Sequence, residues 1–221
     1  MSVNYNPNIV TSGLVGYWDA GNTKSYPGSG TTWNDLSGQG YTGTLQSATY
    51  AAGPPASIAF SGSSQYVSTT TNVTTSTATF LLWIKSAANQ GSYTGLLYSR
   101  STNISGFSFQ NSNLLSYTWN NNSTTYNFNS GLTVTNGVWC QVACCVDSAA
   151  TNFYLNNTVG TTQTIASSSQ TFNALYIGED SFSPTTRAFN GNIGLAMFYN
   201  RALSAAEISK NFHAIRGRFG I

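Results

Sequence analysis

Charge is scarce in this sequence. Eight Lys and Arg and six Asp and Glu make up 6% of its 221 residues, where roughly a quarter is usual, so solubility must come from Asn, Ser, Thr, Gln and Gly. A net charge of +2 is too small a bias for phosphate neutralisation, and a nucleic-acid partner is not expected. Histidine is scarcer still. His213 stands alone, so zinc sites built on two or three histidines are excluded. No Gly-x-Ser-x-Gly turn or reactive-cysteine motif accompanies it, and no Ser-His-Asp or Cys-His arrangement stands out. No apolar run approaches the roughly 20 residues of a membrane-spanning helix, so a membrane is not an expected partner either. The opening residues 1–8 have no basic stretch followed by an apolar one, and signal-directed export is not expected.

Cysteine is limited to three residues in one segment, Cys140, Cys144 and Cys145. Apolar residues occupy every even position from Val138 to Val146, the pattern of a strand with one buried face. Cys140 and Cys144 share that face about 13 Å apart, well beyond the roughly 7 Å limit of a disulfide. Cys145 points the other way. The three read as small buried hydrophobes, in keeping with folding in a reducing cytosol.

What is present is a β-sandwich pattern. Hydrophobic residues make up 40% and aromatics 14% of the chain, enough to offset the entropy of ordering. Short alternating or apolar runs recur at Leu14–Trp18, Tyr41–Leu45, Ser57–Phe60, Gln65–Ser68, Ala78–Lys85, Gly95–Ser99, Gly106–Phe109, Leu114–Trp119, Val138–Val146, Asn152–Leu155, Ala174–Ile177 and Ile193–Tyr199. Turn signals such as Pro27-Gly28-Ser29-Gly30 and Asn190-Gly191-Asn192 separate them. A dozen short strands require two stacked antiparallel sheets, an all-β jelly-roll sandwich. One helix is specified, over about residues 204–216. Ser204-Ala205-Ala206-Glu207 is a capping box, Ile208, Phe212 and Ile215 form an apolar stripe, and Gly217 suits the residue after the helix. Residues 1–12 read as an extended arm and 13–221 as one domain.

Candidate chemistry is sparse. The acids are Asp19, Asp35, Asp147, Glu179, Asp180 and Glu207. None stand at i, i+2 or i, i+4, so the facing carboxylate pair of a glycosidase is absent from any strand, and catalysis is not expected. Glu179 and Asp180 either contribute to a ligand or cation site or simply solvate a loop; no metal or cofactor is assigned. Sugar recognition uses aromatic faces and amides. Trp119, followed by Asn120-Asn121-Asn122, and Trp33, in a Gly/Ser/Thr-rich loop, are either platforms for a glycan or anchors of the core, and Asn121 is a further ligand candidate. Candidate assembly contacts are Tyr5 and Asn6 in the arm and the basic Lys210, Arg216 and Arg218 near the end; the same charges also suit a helix C-terminus.

Several segments resemble concanavalin A-like, laminin-G-like domains. They are Gly13 to Asn22, Tyr26 to Gly38, Tyr41 to Leu45, Ile58-Ala59-Phe60-Ser61-Gly62 with Gln65-Tyr66-Val67, Asn136-Gly137-Val138-Trp139 with Phe153-Tyr154-Leu155-Asn156-Asn157, and Gly191 to Ile208. The family carries Asp where this chain has Ser61 and Gln65, and often His where it has Cys140, so no calcium site carries over. The resemblance implies a jelly roll used for carbohydrate binding, adhesion and particle decoration. The segment from Asp19 to Trp33 and the ending Arg216-Gly217-Arg218-Phe219-Gly220-Ile221 are similar to structural proteins of tailed bacteriophages. From that resemblance we expect a non-enzymatic virion protein, made in the host cytoplasm and shown on the particle surface as a capsid decoration or tail-appendage subunit. Its expected partners are other virion proteins, further copies of itself and glycans. A host-recognition adhesin and, more remotely, a glycan hydrolase are the alternatives.

Overall fold

A computed structural model describes residues 8–100 and 102–221; Tyr5 and Asn6 lie outside the described residues. The strands are β1 (Leu14–Asp19), β2 (Thr32–Trp33), β3 (Gly43–Gln46), β4 (Thr49–Ala51), β5 (Ser57–Ser61), β6 (Tyr66–Thr69), β7 (Asn72–Thr75), β8 (Ala78–Ser86) and β9 (Gly95–Ser99) in the first half. They continue with β10 (Ser105–Phe109), β11 (Leu115–Thr118), a one-turn helix α1 (Ser123–Tyr126), β12 (Trp139–Val146), β13 (Thr151–Leu155) and β14 (Thr158–Val159). The chain closes with β15 (Gln170–Asn173), β16 (Tyr176–Ile177), β17 (Asn190–Tyr199), helix α2 (Ala205–Ile215) and a 3-10 turn over Arg216–Phe219.

Two antiparallel sheets stack as the sequence pattern requires. The back sheet runs β14-β13-β12-β8-β17-β5-β4, with β1 also paired to β17. The front sheet runs β11-β10-β9-β16-β6-β3-β2, and β7 and β15 form a separate ribbon. The long β17 serves two partners along one edge: Asn190 to Ile193 pair with β5, and Leu14 to Asp19 of β1 pair with its second half. Between the sheets lies an aromatic core that includes Trp18, Phe80, Phe107, Phe109, Phe153, Phe172, Phe189 and Phe198.

The back sheet is buried on both faces. Cys140, Val142, Cys144 and Val146 of β12 point into the inter-sheet core, while Ala143 and Cys145 join a second cluster under α2. All three cysteines are buried and free, in the orientations the alternation predicts. Trp83 anchors the second cluster, stacked on Phe212 at 5.8 Å and on Phe219 at 4.4 Å. Ile208, Phe212 and Ile215 are buried there with it. The capping box forms: Ser204 Oγ accepts from the Glu207 amide at 3.3 Å, and Glu207 Oε2 accepts from the Ser204 amide at 2.9 Å. Arg201 adds a two-point ion pair to the same carboxylate.

Two local expectations need correction. Asn190-Gly191-Asn192 begins β17 instead of turning, because a side chain at Gly191 would meet the Lys85 carbonyl oxygen at 2.3 Å; glycine serves close approach to β8. Gly217 follows α2, whose C-cap is Arg216, but makes no left-handed stop: a 3-10 turn carries the chain on to Gly220, at φ 75, so that Phe219 reaches Trp83. Arg218, a candidate assembly contact, is exposed and also engaged within the chain. It pairs with nearly buried Asp19 at 2.7 Å, a contact across 199 positions that no local pattern reveals. Lys210 and Arg216 are exposed. The end of the proposed arm is tied to the domain, with the Val10 amide donating to Asn211 Oδ1 at 2.7 Å and its carbonyl accepting from Tyr199 at 3.0 Å.

Candidate binding cleft

Between residues 86 and 200 the chain has five charged residues, Arg100, Asp147, Glu179, Asp180 and Arg187. Four of them meet at one end of the front sheet. Register explains how. Thr118, Gly106, Tyr98, Tyr176 and Ser68 stand opposite one another across β11, β10, β9, β16 and β6, so they share one face. Their neighbours Phe107, Leu97, Ile177 and Val67 point into the core, which puts this row on the outer face. Gly106 leaves the space in which the Tyr98 ring lies. A Cβ there would meet Tyr98 Cδ2 at 2.7 Å, and the ring passes over this position to donate from its hydroxyl to Thr118 Oγ1 at 2.7 Å.

Asp180 organises the rest. The loop after β16 returns antiparallel through the Glu179 and Ala188 bridge. Gly95 lets it sit against β9, because a Cβ there would fall 2.3 Å from the Asp180 nitrogen. Asp180 is fully buried. Its carboxylate accepts from Arg100 Nε and, at 3.0 Å, from Arg100 Nη2. Arg187 Nη1 donates to the same carboxylate at 2.9 Å. Buried charge of this kind persists only when paired and hydrogen-bonded. The two guanidiniums also stack on aromatic rings: Arg100 lies 4.9 Å and Arg187 4.5 Å from the Phe182 ring centre, and Arg187 lies 4.8 Å from that of Tyr93.

The result is a cleft of about 350 Å³ walled by Tyr93, Tyr98, Arg100, Asn121, Tyr126 and Phe182, with Ile104, Thr118 and Arg187 completing it. Phe182 is 66% exposed. Tyr93 adopts φ 64, an uncommon conformation for a bulky residue. Its ring meets Tyr126 edge-on at 5.5 Å, and its hydroxyl donates to Asn127 Oδ1 at 3.0 Å. Asn120 and Asn121 are left-handed as well, at φ 52 and 53, a conformation Asn tolerates. Asn122 then caps α1, its side chain accepting from the Thr124 amide at 2.9 Å, and α1 carries Tyr126 into the wall.

Glu179 sits behind this wall. It is 1% exposed, and its Oε2 has no hydrogen-bond partner among the described residues. Burial, reinforced by the neighbouring Asp180 charge, pushes its carboxyl up to about 7. Neither acid solvates a loop. Among the described residues, no three His, Cys, Asp or Glu side chains gather as a cation site.

Of the residues singled out in the sequence, Asn121 lines the cleft and Asp180 and Glu179 support it from behind. Trp33 is fully buried in the core. Trp119 is 4% exposed, with its indole N–H donating to the Ser168 carbonyl at 2.8 Å and its ring against Phe172. Both rings therefore act as core anchors, with no face open for a sugar to stack on. The open aromatic surface belongs to Tyr93, Tyr126 and Phe182. Sequence reading missed these along with Tyr98, Arg100 and Arg187. The available signal was the pair of arginines, in a stretch otherwise nearly free of charge, that could pair with the buried acids.

The sequence matches the family model described as concanavalin A-like lectin/glucanases superfamily over residues 61–209. A comparison with curated proteins finds no match. Among solved structures, domain 4 of AbnA, a GH43 extracellular arabinanase from Geobacillus stearothermophilus, in complex with arabinotriose, is similar with TM-score 0.69 and 17% identity over 90% of this chain and 97% of that one. Trypanosoma rangeli sialidase in complex with a difluoro-KDN compound superposes with TM-score 0.70 and 12% identity over 99% of this chain, which spans 36% of the sialidase. The binding domain of Paraclostridial Mosquitocidal Protein 1 gives TM-score 0.66 and 13% identity over 91% of this chain and 52% of that one. At these identities the likeness is one of fold.

Proposed function

The chain belongs to the concanavalin A-like lectin/glucanases superfamily, and on that premise we propose that it is a non-catalytic glycan-binding module displayed on the surface of a bacteriophage particle. The observation that carries the glycan reading is the cleft. Aromatic faces at Tyr93, Tyr126 and Phe182 offer stacking surface to a sugar ring, and Asn121 and the arginine edges offer directional hydrogen bonds. Asp180 fixes the arginines before any ligand arrives, which lowers the entropic cost of binding. A domain of the same architecture in complex with arabinotriose lends support.

The absence of acids from the cleft wall supports the non-catalytic reading. Hydrolysis of a glycosidic bond ordinarily uses two carboxyl groups flanking it, whereas Asp180 is sealed behind two arginines and Glu179 is buried beside it. The particle setting rests on the resemblance of the segment from Asp19 to Trp33 and of the last six residues to tailed-phage structural proteins. Exposed Lys210 and Arg216 supply a surface for docking on a capsid or tail neighbour or on another copy.

A glycan array probed with the wild type and with Phe182→Ala and Tyr126→Ala tests the binding function. Retention of specific glycans by the wild type and their loss in both variants, with unchanged thermal unfolding, is expected. An array blank for the wild type would refute it. The particle setting is tested by quantitative mass spectrometry of purified virions, where a fixed copy number is expected and absence would overturn it.

A further inference from the structure

The cleft is cationic in a protein that is almost without charge. Among the described residues its wall contains two charged side chains, Arg100 and Arg187, and no acid. Two guanidiniums share the one carboxylate of Asp180, which leaves one positive charge uncompensated by that group. Glu179, adjacent to Asp180 in sequence, is kept neutral below about pH 7 by burial and by the Asp180 charge, and in that range does not cancel it. Tyr98, which also faces the arginines, is kept protonated by burial and by the Asp180 charge.

Among the described residues the donors are free as well as charged. Arg100 spends Nε and Nη2 on Asp180 and keeps Nη1; Arg187 spends Nη1 and keeps Nε and Nη2. With one edge pinned by Asp180 and the faces stacked on Phe182, Tyr93 and Tyr98, each guanidinium has its remaining edge to present. A planar fork of N–H groups at a fixed position matches a carboxylate in geometry. One net positive charge matches a monoanion in magnitude, and the surrounding Tyr and Phe rings suit the ring that bears it.

Resting on the glycan-binding reading above, we infer that the ligand of this cleft is an acidic sugar, a uronic or nonulosonic acid residue whose carboxylate is held between Arg100 and Arg187 while its ring stacks on the aromatic wall. Neutral sugars offer these edges hydroxyl acceptors but no charge to match theirs.

The test is calorimetric titration of the full chain with oligosaccharides of galacturonic, glucuronic, guluronic and sialic acids, with the same oligosaccharides after carboxyl reduction, and with neutral and sulfated oligosaccharides. At least one acidic oligosaccharide should bind, and carboxyl reduction should weaken it about tenfold or more, the scale of one charge-assisted bidentate contact. Arg187→Gln should weaken it to a similar degree, with partial rescue in Arg187→Lys. Phe182→Ala, at an exposed position, should lower affinity without changing the fold. The uronic and sialic arms distinguish the two sources of carboxylate. Binding confined to neutral or sulfated sugars, or acidic binding that Phe182→Ala weakens but carboxyl reduction or Arg187→Gln does not, would overturn the inference and leave the glycan-binding reading standing; binding indifferent to Phe182→Ala would overturn both. Failure of every oligosaccharide to bind would overturn both.

Discussion

Glu179→Gln should stabilise the protein at neutral and alkaline pH and leave it unchanged in acid. In the folded chain the carboxyl is 1% exposed with one oxygen unpartnered and Asp180 adjacent, and its pKa moves from 4.5 to about 7. Each pH unit of such a displacement is worth about 1.4 kcal/mol, so the whole is on the order of 3 kcal/mol. The sign follows from proton binding. Below about pH 4.5 both folded and unfolded chains hold the proton, and stability is at its full value. Between 4.5 and 7 the unfolded chain releases it while the folded chain keeps it, so stability falls as pH rises. Above 7 the folded protein carries a buried carboxylate and the penalty levels off. Gln has similar shape and no charge to bury. Urea denaturation of both proteins from pH 4.5 to 8.5 should give curves that coincide at the acid end and separate by up to roughly 3 kcal/mol at the alkaline end, the variant being the more stable. Parallel curves would show that Glu179 is solvated in the folded state and that the packing behind the cleft is wrong.

Gly95→Ala should destabilise the fold by about 1 to 3 kcal/mol, because its Cβ would fall 2.3 Å from the Asp180 nitrogen and force the loop behind the cleft outward; chemical denaturation measures it. Phe212→Ala should cost about 3 to 5 kcal/mol, read the same way, since it removes one of the two rings stacked on buried Trp83. The three cysteines should be silent to a thiol reagent in the native protein and all react in denaturant: every one is buried, and burial pushes the Cys140 and Cys145 thiols up to about 12.

The sandwich was legible in the sequence wherever a strand is long enough to alternate. β12 shows that way, β8 and the end of β17 show as continuous apolar runs, and the capping box located α2 by a local rule. Two-residue strands such as β2 and β14 have too few positions for a period, and Asn190-Gly191-Asn192 carries a turn signature at a place where glycine is needed for close packing on β8. Trp119 shows the limit of composition as a guide: a Trp beside three Asn residues resembles an exposed platform, but its indole N–H found a backbone acceptor and its ring a core partner. The cleft was less legible because its parts are distant in sequence. Arg100 and Asp180 are 80 positions apart, and only sheet register and the loop after β16 bring them together. Two facts readable in advance did bear on it, the rarity of charge between residues 86 and 200 and the adjacency of Glu179 and Asp180.

On our proposal a sugar occupies the aromatic and arginine cleft at this end of the front sheet. A crystal structure of the chain with a glycan retained on the array tests it most directly. A sugar ring stacked between Phe182 and Tyr126 with a polar group at the free edge of Arg187 is expected; a glycan bound elsewhere on the sandwich, with the cleft unchanged, would contradict the proposal.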